Sequence, residues 1–299
     1  MKLRFQDNSI PYPISIQRGK LRLSGLDLHE ISDIISSTMP DPANSETLTE
    51  NQLIESIRSS LSNYPDSVKQ NYDLLMQYEQ LRGEDESIPP LVLVLEGASA
   101  TGKSLLAIEL IQDLTATRFI STDTVRQLVR GVYQEKQAPE IFCHTYQAYR
   151  YKQLGDQYLH PVVRGYLAQI DLMKPFIDDL IQRVLSEGTQ VVVEGVHIQP
   201  GSLNSLSDGI LEVLVNPSVN THRAMFFEKH ASGKLRTVTS DKEIREQEFN
   251  STRLIQDYLV NRALENEIPI IKMESYEKAR EEVSEFILKT IKTLLKKYS

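Results

Sequence analysis

The segment GASATGKS, residues 97–104, constrains the fold of this chain more than any other part of its sequence. It has the spacing G-x-x-x-x-G-K-S, whose glycines let the backbone curl until successive amide groups point at phosphate oxygens. The run LVLVLE before it is apolar and typical of a strand, and SLLAIELIQDL, which begins at Ser104, has apolar residues at helical spacing. Strand, glycine loop and helix in this order predict a P-loop that binds a nucleoside triphosphate.

Each part of this loop has an expected role. The backbone amides, helped by the positive end of the following helix, would hold the phosphates. Lys103 would reach the β- and γ-phosphates as a catalytic cation, and the Ser104 hydroxyl would bind Mg²⁺. The residues predicted to bind the nucleotide are Gly97, Ala98, Ser99, Ala100, Thr101, Gly102, Lys103, Ser104 and Leu105.

Composition limits the class of protein. With 299 residues, 40% of them hydrophobic and 25% charged, the chain has room for one α/β domain and a smaller module. Its formal net charge of −8 argues against nonspecific nucleic-acid binding, and its single cysteine, Cys143, excludes an internal disulfide. The polar start MKLRFQDNSIPYP and the lack of any apolar run near ~20 residues lead us to expect a cytoplasmic protein without a membrane partner. The sequence is compatible with a homo-oligomer.

The pattern changes near residue 86. Residues 1–86 predict a small, mostly helical module that contains short strands and a helix opened by a capping box of Thr49 and Gln52. The acidic, proline-terminated run GEDESIPP, residues 83–90, predicts the boundary, and residues 87–299 are expected to form the second domain.

The second domain shows alternating strands and helices. Apolar runs predict five strands at 91–95, 118–122, 190–195, 210–216 and 268–273. The long helix between the second and third strands has a predicted apolar stripe of Tyr166, Ile170, Met173, Ile177, Leu180 and Val184. This pattern is typical of an α/β fold with a five-stranded parallel sheet and helices on both faces, as in P-loop nucleotide kinases. Ligands in such folds bind at the carboxyl ends of the strands.

Two groups of polar residues follow predicted strands. After the second strand, Asp123 would accept the proton of an attacking hydroxyl, and Arg126, one turn later, would hold an anionic group of the substrate. The alternative is that Asp123 only caps the helix it begins. After the third strand, Glu194 would bind Mg²⁺ or orient the acceptor, while Gly195 and His197 would contact the substrate.

A basic segment follows the fourth strand. It carries His222, Arg223, Lys229, Lys234, Arg236, Arg245 and Arg253. Cations here would stabilise the charge on the transferring phosphoryl group, and we predict Arg223 and Arg236 as the catalytic ones. A solvated helical face would show a similar density of charge.

Several ordered motifs resemble one family. GASATGKS, ISTDTVRQLVR, RGYLAQ (with Gly165 and Gln169), VVVEGVHIQPG and TRLIQDYLVNRALENEIPII together resemble archaeal-type 2-phosphoglycerate kinase, over roughly residues 91–275. The resemblance implies conversion of 2-phosphoglycerate and ATP into 2,3-bisphosphoglycerate and ADP, with Mg²⁺. The N-terminal segment resembles an ATP-cone-like module, which implies that Arg18 and Lys20 contact a regulatory nucleotide; a purely structural N-terminal domain is the alternative.

Two further interpretations remain open. A toxin-like kinase of a nucleotide sugar also pairs a P-loop with an aspartate and an arginine after the second strand. An ATP-gated binding or regulatory protein is the other, because Glu194 stands where a Walker B segment more usually has aspartate. The leading hypothesis is an ATP-dependent kinase that phosphorylates a hydroxyl of a small anionic metabolite. The sequence does not specify which arginines would neutralise the phosphate and carboxylate of such an acceptor.

Overall fold

The computed structural model describes residues 2–5, 8–38, 47–233 and 241–298. The chain divides into two compact units. One comprises Met1–Ile88, Leu110–Ala116 and Ser284–Ser299, and the other comprises Pro89–Glu109 and Thr117–Val283. The domain boundary predicted between residues 86 and 87 stays a prediction, since compactness alone does not show that either part folds independently.

The N-terminal part of the first unit mixes short strands with helices. Its elements are β1 (Lys2–Phe5), β2 (Asn8–Pro11), α1 (Ser15–Leu23), α2 (Leu28–Thr38), β3 (Leu48–Thr49), α3 (Glu50–Ser60), a 3-10 turn (Leu61–Asn63) and α4 (Asp66–Glu84). The strands form a sheet in the order β2-β1-β3, in which β1 pairs antiparallel with β2 and parallel with β3. Helix α3 begins with the predicted capping box, in which Thr49 and Gln52 hydrogen bond reciprocally.

Apolar side chains and the ion pair of a buried lysine hold this part together. Leu21, Leu53 and Ile57 are fully buried in its core. Lys20 is 4% exposed, and its ammonium lies 2.5 Å from the Glu79 carboxylate. A buried lysine needs such a partner because desolvation of an isolated charge is costly. The predicted contact of Lys20 and of the exposed Arg18 with a regulatory nucleotide stays a prediction.

The remaining elements follow the predicted alternation. They are β4 (Val92–Glu96), α5 (Lys103–Asp113), β5 (Arg118–Ser121), α6 (Thr122–Val129), 3-10 turns at Pro139–Ile141 and Thr145–Arg150, α7 (Pro161–Ser186), β6 (Val191–Gly195), β7 (Ile210–Asn216), α8 (Val219–Gly233), α9 (Lys242–Glu265), β8 (Ile270–Lys272) and α10 (Tyr276–Tyr298). None of the helices in the described part of the chain is long and apolar enough to cross a membrane.

The five strands β4 to β8 form one sheet, in which every pair is parallel. Their order is β5-β6-β4-β7-β8, so β4, which leads into the P-loop, lies in the middle. Val92 and Val94 of β4 pack with Val125 of α6 and Ile181 of α7. Leu93, which points to the opposite face because side chains alternate along a strand, is also fully buried. The predicted α/β fold class is confirmed.

Some bounds of the predicted strands differ from those in the structure by one or two residues. Strand β8 covers Ile270–Lys272 rather than 268–273, since only these residues pair with β7. The stripe of α7 also includes the fully buried Ile181, and the predicted Leu180 is partly buried and packs against the same core cluster. At 3.6 residues per turn, both positions lie near the edge of the stripe that runs through Ile177 and Val184.

Helix α7 lies against the 3-10 turn Thr145–Arg150 at Gly165. A Cβ atom at Gly165 would lie 2.1 Å from the Tyr149 amide nitrogen and 2.3 Å from its Cα atom. Both are backbone atoms that cannot move aside without shifting the turn. Glycine at this position therefore allows the close approach of two elements.

We expect Gly165→Ala to lower the free energy of unfolding by about 1–3 kcal/mol, the usual cost of overpacking. The matched control is Gly83→Ala in α4, where a Cβ atom would have no neighbour within 4 Å. Because alanine favours helix more than glycine does, the control should be neutral or up to about 1 kcal/mol more stable than the unmodified protein. Urea denaturation measures both, and equal effects of the two substitutions would contradict the close approach.

Candidate active site

The P-loop has the curled backbone that the motif predicts. The φ angle is +147° at Gly97, +64° at Ala100 and +92° at Gly102. A Cβ atom at Gly97 would lie 2.8 Å from the Thr101 hydroxyl oxygen, so this position requires glycine both for its backbone angle and for space. The Lys103 side chain is 7% exposed and donates to the Ala98 carbonyl at 3.0 Å, which keeps its ammonium at the loop.

The predicted metal ligands lie together at the end of β6. The Ser104 hydroxyl donates to one oxygen of Glu194 at 3.0 Å, and the Ser121 hydroxyl donates to the other at 2.7 Å. Glu194 is 5% exposed. The carboxylate thus connects the start of α5 to the end of β5, because β6 lies between β4 and β5 in the sheet.

The chemistry of this pair fits Mg²⁺. A hydroxyl and a carboxylate are hard oxygen ligands, and Mg²⁺ commonly takes only one or two protein carboxylates while keeping waters and substrate phosphates. Within the described residues, no group of three or more His, Cys, Asp and Glu side chains is arranged to hold a metal ion. Ser104 and Glu194 are therefore the residues that would hold Mg²⁺ beside the P-loop.

Asp123 and Arg126 lie side by side in α6. The Arg126 guanidinium is 3.2 Å from the Asp123 carboxylate, and it also donates to the Cys143 carbonyl at 3.1 Å. The side chain of Arg126 is 14% exposed and that of Asp123 is 68% exposed. The N-cap position of α6 is Ser121, so Asp123 lies inside the first turn and does not occupy the cap. The geometry brings the two predicted acceptor-binding residues together.

A cavity of about 400 Å³ joins these groups to the P-loop. Asp123 and Arg126 line one part of it together with the segment 144–146, and Met225 and Tyr276 line another part. The charged side chains on its wall are Lys103, Arg126, Asp123 and Glu228. The cavity therefore places the P-loop and the Asp123–Arg126 pair in one space.

Gly195 and His197 lie behind this wall. A Cβ atom at Gly195 would lie 1.7 Å from the Thr122 hydroxyl oxygen, so glycine here makes room for the start of α6. The His197 side chain is 1% exposed, with Nδ1 2.9 Å from the Thr122 hydroxyl and Nε2 3.1 Å from the Gln169 carbonyl oxygen. Val196, between the two, lines the cavity instead. The structure does not bring the two predicted substrate contacts, Gly195 and His197, into the cavity.

The predicted basic residues take several different positions. Arg223 pairs with Glu246 and stacks over the Phe227 ring, and it does not line the cavity. Arg245 donates to the Phe226 carbonyl at 2.7 Å and is buried. Arg236 and Lys234 lie outside the described residues. Of the two predicted catalytic arginines, the structure therefore describes only Arg223, whose guanidinium pairs with Glu246 and does not line the cavity.

Sequence reasoning missed the segment 144–146 and assigned His222 only to a basic patch. The segment carries His144, Thr145 and Tyr146, all on the cavity wall, and the available signal was its histidine close to a tyrosine. His222 Nε2 lies 2.8 Å from the Ser99 carbonyl, and burial lowers the pKa of this histidine. The neutral ring therefore donates to the P-loop backbone as a structural partner.

A parallel sheet with a P-loop after its middle strand, together with the Ser104–Glu194 pair, defines a P-loop phosphate-binding protein. The chain is distantly homologous to archaeal 2-phosphoglycerate kinases. It is 27% identical over 304 residues to that of Methanopyrus kandleri, covering 95% of this chain and 87% of the relative. It is 29% identical over 213 residues to that of Pyrococcus furiosus, covering 70% of this chain and 68% of the relative. The chain is a P-loop protein related to archaeal 2-phosphoglycerate kinases.

No family model matches the chain. Among solved structures, it is similar to a putative kinase from Chloroflexus aurantiacus, with a TM-score of 0.41 and 12% identity over 67% of this chain and 98% of the other. It is also similar to shikimate kinase from Acinetobacter baumannii, with a TM-score of 0.39 and 15% identity over 70% and 95%. Likenesses of this size carry no argument about function.

The burial of His197 predicts a dependence of stability on pH. Burial lowers its pKa to about 3, against about 6.5 in an unfolded chain. The unfolded chain therefore binds more protons between these values, so the stability that depends on neutral His197 is complete above about pH 6.5 and is lost as the pH falls.

We expect His197→Gln to reduce the loss of unfolding free energy between pH 7 and pH 5 by about 2 kcal/mol relative to the unmodified protein. Urea denaturation of both proteins at the two pH values measures this difference. His222, whose pKa burial also lowers, is present in both proteins, so its effect cancels. An unchanged pH dependence in His197→Gln would contradict the buried, neutral state of His197.

Proposed function

We propose that this protein is an ATP-dependent small-molecule kinase whose acceptor is an anionic hydroxy compound, 2-phosphoglycerate, giving 2,3-bisphosphoglycerate. The names of its relatives support this acceptor. The observation that carries the proposal is the single cavity shared by the P-loop, Asp123 and Arg126. In-line transfer requires a nucleotide phosphate and an acceptor hydroxyl within one enclosed space.

The nucleotide side uses the P-loop and Lys103. Amides of the loop and the start of α5 bind phosphate oxygens, and the Lys103 ammonium neutralises charge on the transferring group. Ser104 and Glu194 would hold Mg²⁺, which supplies further charge neutralisation at the phosphates. The hydrogen bond from Ser121 keeps the Glu194 carboxylate oriented toward this position.

The acceptor side uses Asp123 and Arg126. The acceptor hydroxyl oxygen forms a bond to the γ-phosphorus, the bond from this phosphorus to the leaving ADP oxygen breaks, and the hydroxyl proton passes to Asp123. Arg126 binds an anionic group of the acceptor through its planar guanidinium. The hydrogen bond from Arg126 to the Cys143 carbonyl fixes the orientation of the guanidinium at the cavity wall. Arg236 is proposed as a further cation for the transferring phosphoryl group.

The test is an acceptor screen with ATP and Mg²⁺, read by ADP formation and by ³¹P NMR of the product. We expect turnover with 2-phosphoglycerate and none with UDP-sugars. Turnover with UDP-sugars would support a nucleotide-sugar kinase instead, and ATP binding without turnover would support a regulatory protein.

Lys103→Ala should lower kcat by about 10²-fold or more, because it removes charge stabilisation from the transition state, and circular dichroism should stay unchanged.

The two acceptor residues should separate kinetically. Asp123→Asn keeps the shape and loses the base, so we expect kcat to fall by about 10²-fold. Arg126→Lys keeps the charge and loses the bidentate fork, so the KM for the acceptor should rise with a smaller change in kcat. Steady-state kinetics with varied acceptor and varied ATP measures both, and the KM for ATP should change little.

Arg253→Lys is a matched control for Arg126→Lys. Arg253 also pairs with an aspartate on its own helix, Asp257, and donates to a backbone carbonyl, that of Pro217. Its side chain is 16% exposed, close to the value for Arg126, and it does not line the cavity. Equal acceptor KM values in the two variants would contradict a direct role for Arg126 in acceptor binding.

A further inference from the structure

A fully buried glutamine of α9 connects the P-loop to the end of β7. The Gln256 carbonyl oxygen accepts a hydrogen bond from the Ala98 amide at 2.8 Å. Its Nε2 group donates to the Val215 carbonyl and to the Asn216 side-chain oxygen, both at 3.1 Å. One side-chain amide thus bridges the second residue of the GASATGKS loop and the last two residues of a neighbouring strand.

These bonds determine how the loop begins. The Ala98 amide donates to Gln256, so it points away from the space that the phosphates would occupy, while the Ala98 carbonyl accepts from Lys103. Both polar backbone groups of this residue are therefore engaged. The preceding Gly97 passes so close to β7 that a Cβ atom there would lie 3.1 Å from the Val215 carbonyl oxygen. The carbonyl that Gln256 binds is therefore also the one that a side chain at position 97 would approach.

The position of Lys103 depends on this arrangement. Its ammonium is held by the Ala98 carbonyl, and the orientation of that carbonyl follows from the peptide planes on either side of Ala98. A rotation of the Gly97–Ala98 peptide would break the bond to Gln256. A buried amide that has lost its hydrogen-bond partner costs free energy. The bond to Gln256 therefore opposes this rotation.

We propose that Gln256 is a positioning residue that holds the first turn of the P-loop, and with it Lys103, in the conformation that binds nucleotide phosphates. It acts from α9 through the Ala98 amide and touches neither nucleotide nor acceptor. The proposal rests on the proposed nucleotide binding by the P-loop. It assigns to Gln256 an effect on nucleotide affinity that a side chain serving only to fill the core would not have.

Two variants remove hydrogen bonds of the Gln256 side chain. Gln256→Glu keeps an oxygen toward the Ala98 amide but replaces the Nε2 donor by an oxygen that faces two acceptors, Val215 and Asn216. Gln256→Met keeps the length of the side chain and removes every hydrogen bond. The control is Leu259→Val, which removes one methylene from a buried residue one turn further along α9, in the core cluster that also contains Ile255.

The first measurement is the Kd for ADP by calorimetry, at a temperature where circular dichroism shows all variants folded. We expect both Gln256 variants to raise the Kd by about tenfold, the size of effect of one hydrogen bond, and Leu259→Val to leave it within about twofold. The proposal would be overturned if the Kd rose equally in the Gln256 variants and in Leu259→Val. It would also be overturned if the Kd did not rise in the Gln256 variants.

The second measurement is hydrogen exchange of the peptide that contains Ala98, without nucleotide. We expect faster exchange of this peptide in Gln256→Met and unchanged exchange in Leu259→Val, because only the first removes the acceptor of the Ala98 amide. If the unmodified protein fails to bind ADP, the proposed function fails, and exchange alone then decides whether Gln256 holds the loop. Equal exchange rates in Gln256→Met and the unmodified protein would overturn that role.

Discussion

The candidate active site depends on the backbone of the P-loop. A loop that turns its amide groups toward one point needs positive φ angles, which are found at Gly97, Ala100 and Gly102. The same curl leaves carbonyl groups that need hydrogen-bond donors when they are buried. Lys103 donates to the Ala98 carbonyl, and His222 donates to that of Ser99. The phosphate-binding conformation therefore requires partners far along the chain as well as the motif itself.

Strand order decides which chain segments can supply the site. Because β4 lies between β6 and β7, and all strands are parallel, the segments after these three strands meet at one edge of the sheet. Glu194 reaches Ser104 across this edge. Strand β5 lies on the far side of β6 and brings Ser121 to the same carboxylate. Helix α6, which contains Asp123, follows β5 directly. The parallel order thus explains why Ser104 and Glu194, which are 90 positions apart in the sequence, meet beside the P-loop.

Sequence reasoning predicted well where local pattern determines structure. The strand β7, the capping box of Thr49 and the fold class follow from apolar runs and short-range hydrogen bonding. It predicted less well where the direction of a side chain decides its role. The type of a residue does not show what its side chain contacts. His197 points to Gln169 and Thr122, and Arg223 pairs with Glu246, because of how segments distant in the sequence pack together. The part of the cavity wall at 144–146 was missed for another reason, because it lies on a turn without a regular period.

The charge on the cavity wall limits which acceptors the site can hold. Arg126 is already paired with Asp123, and Lys103 is assigned to the nucleotide. An acceptor that carries both a phosphate and a carboxylate brings more negative charge than one paired guanidinium balances in a partly buried site. Further cations are therefore required for 2-phosphoglycerate, and the sequence contains them in the basic segment after β7, where Arg236 was predicted to act. An acceptor with a single anionic group would place no such demand on that segment, so the number of anionic groups on the acceptor and the need for Arg236 are linked.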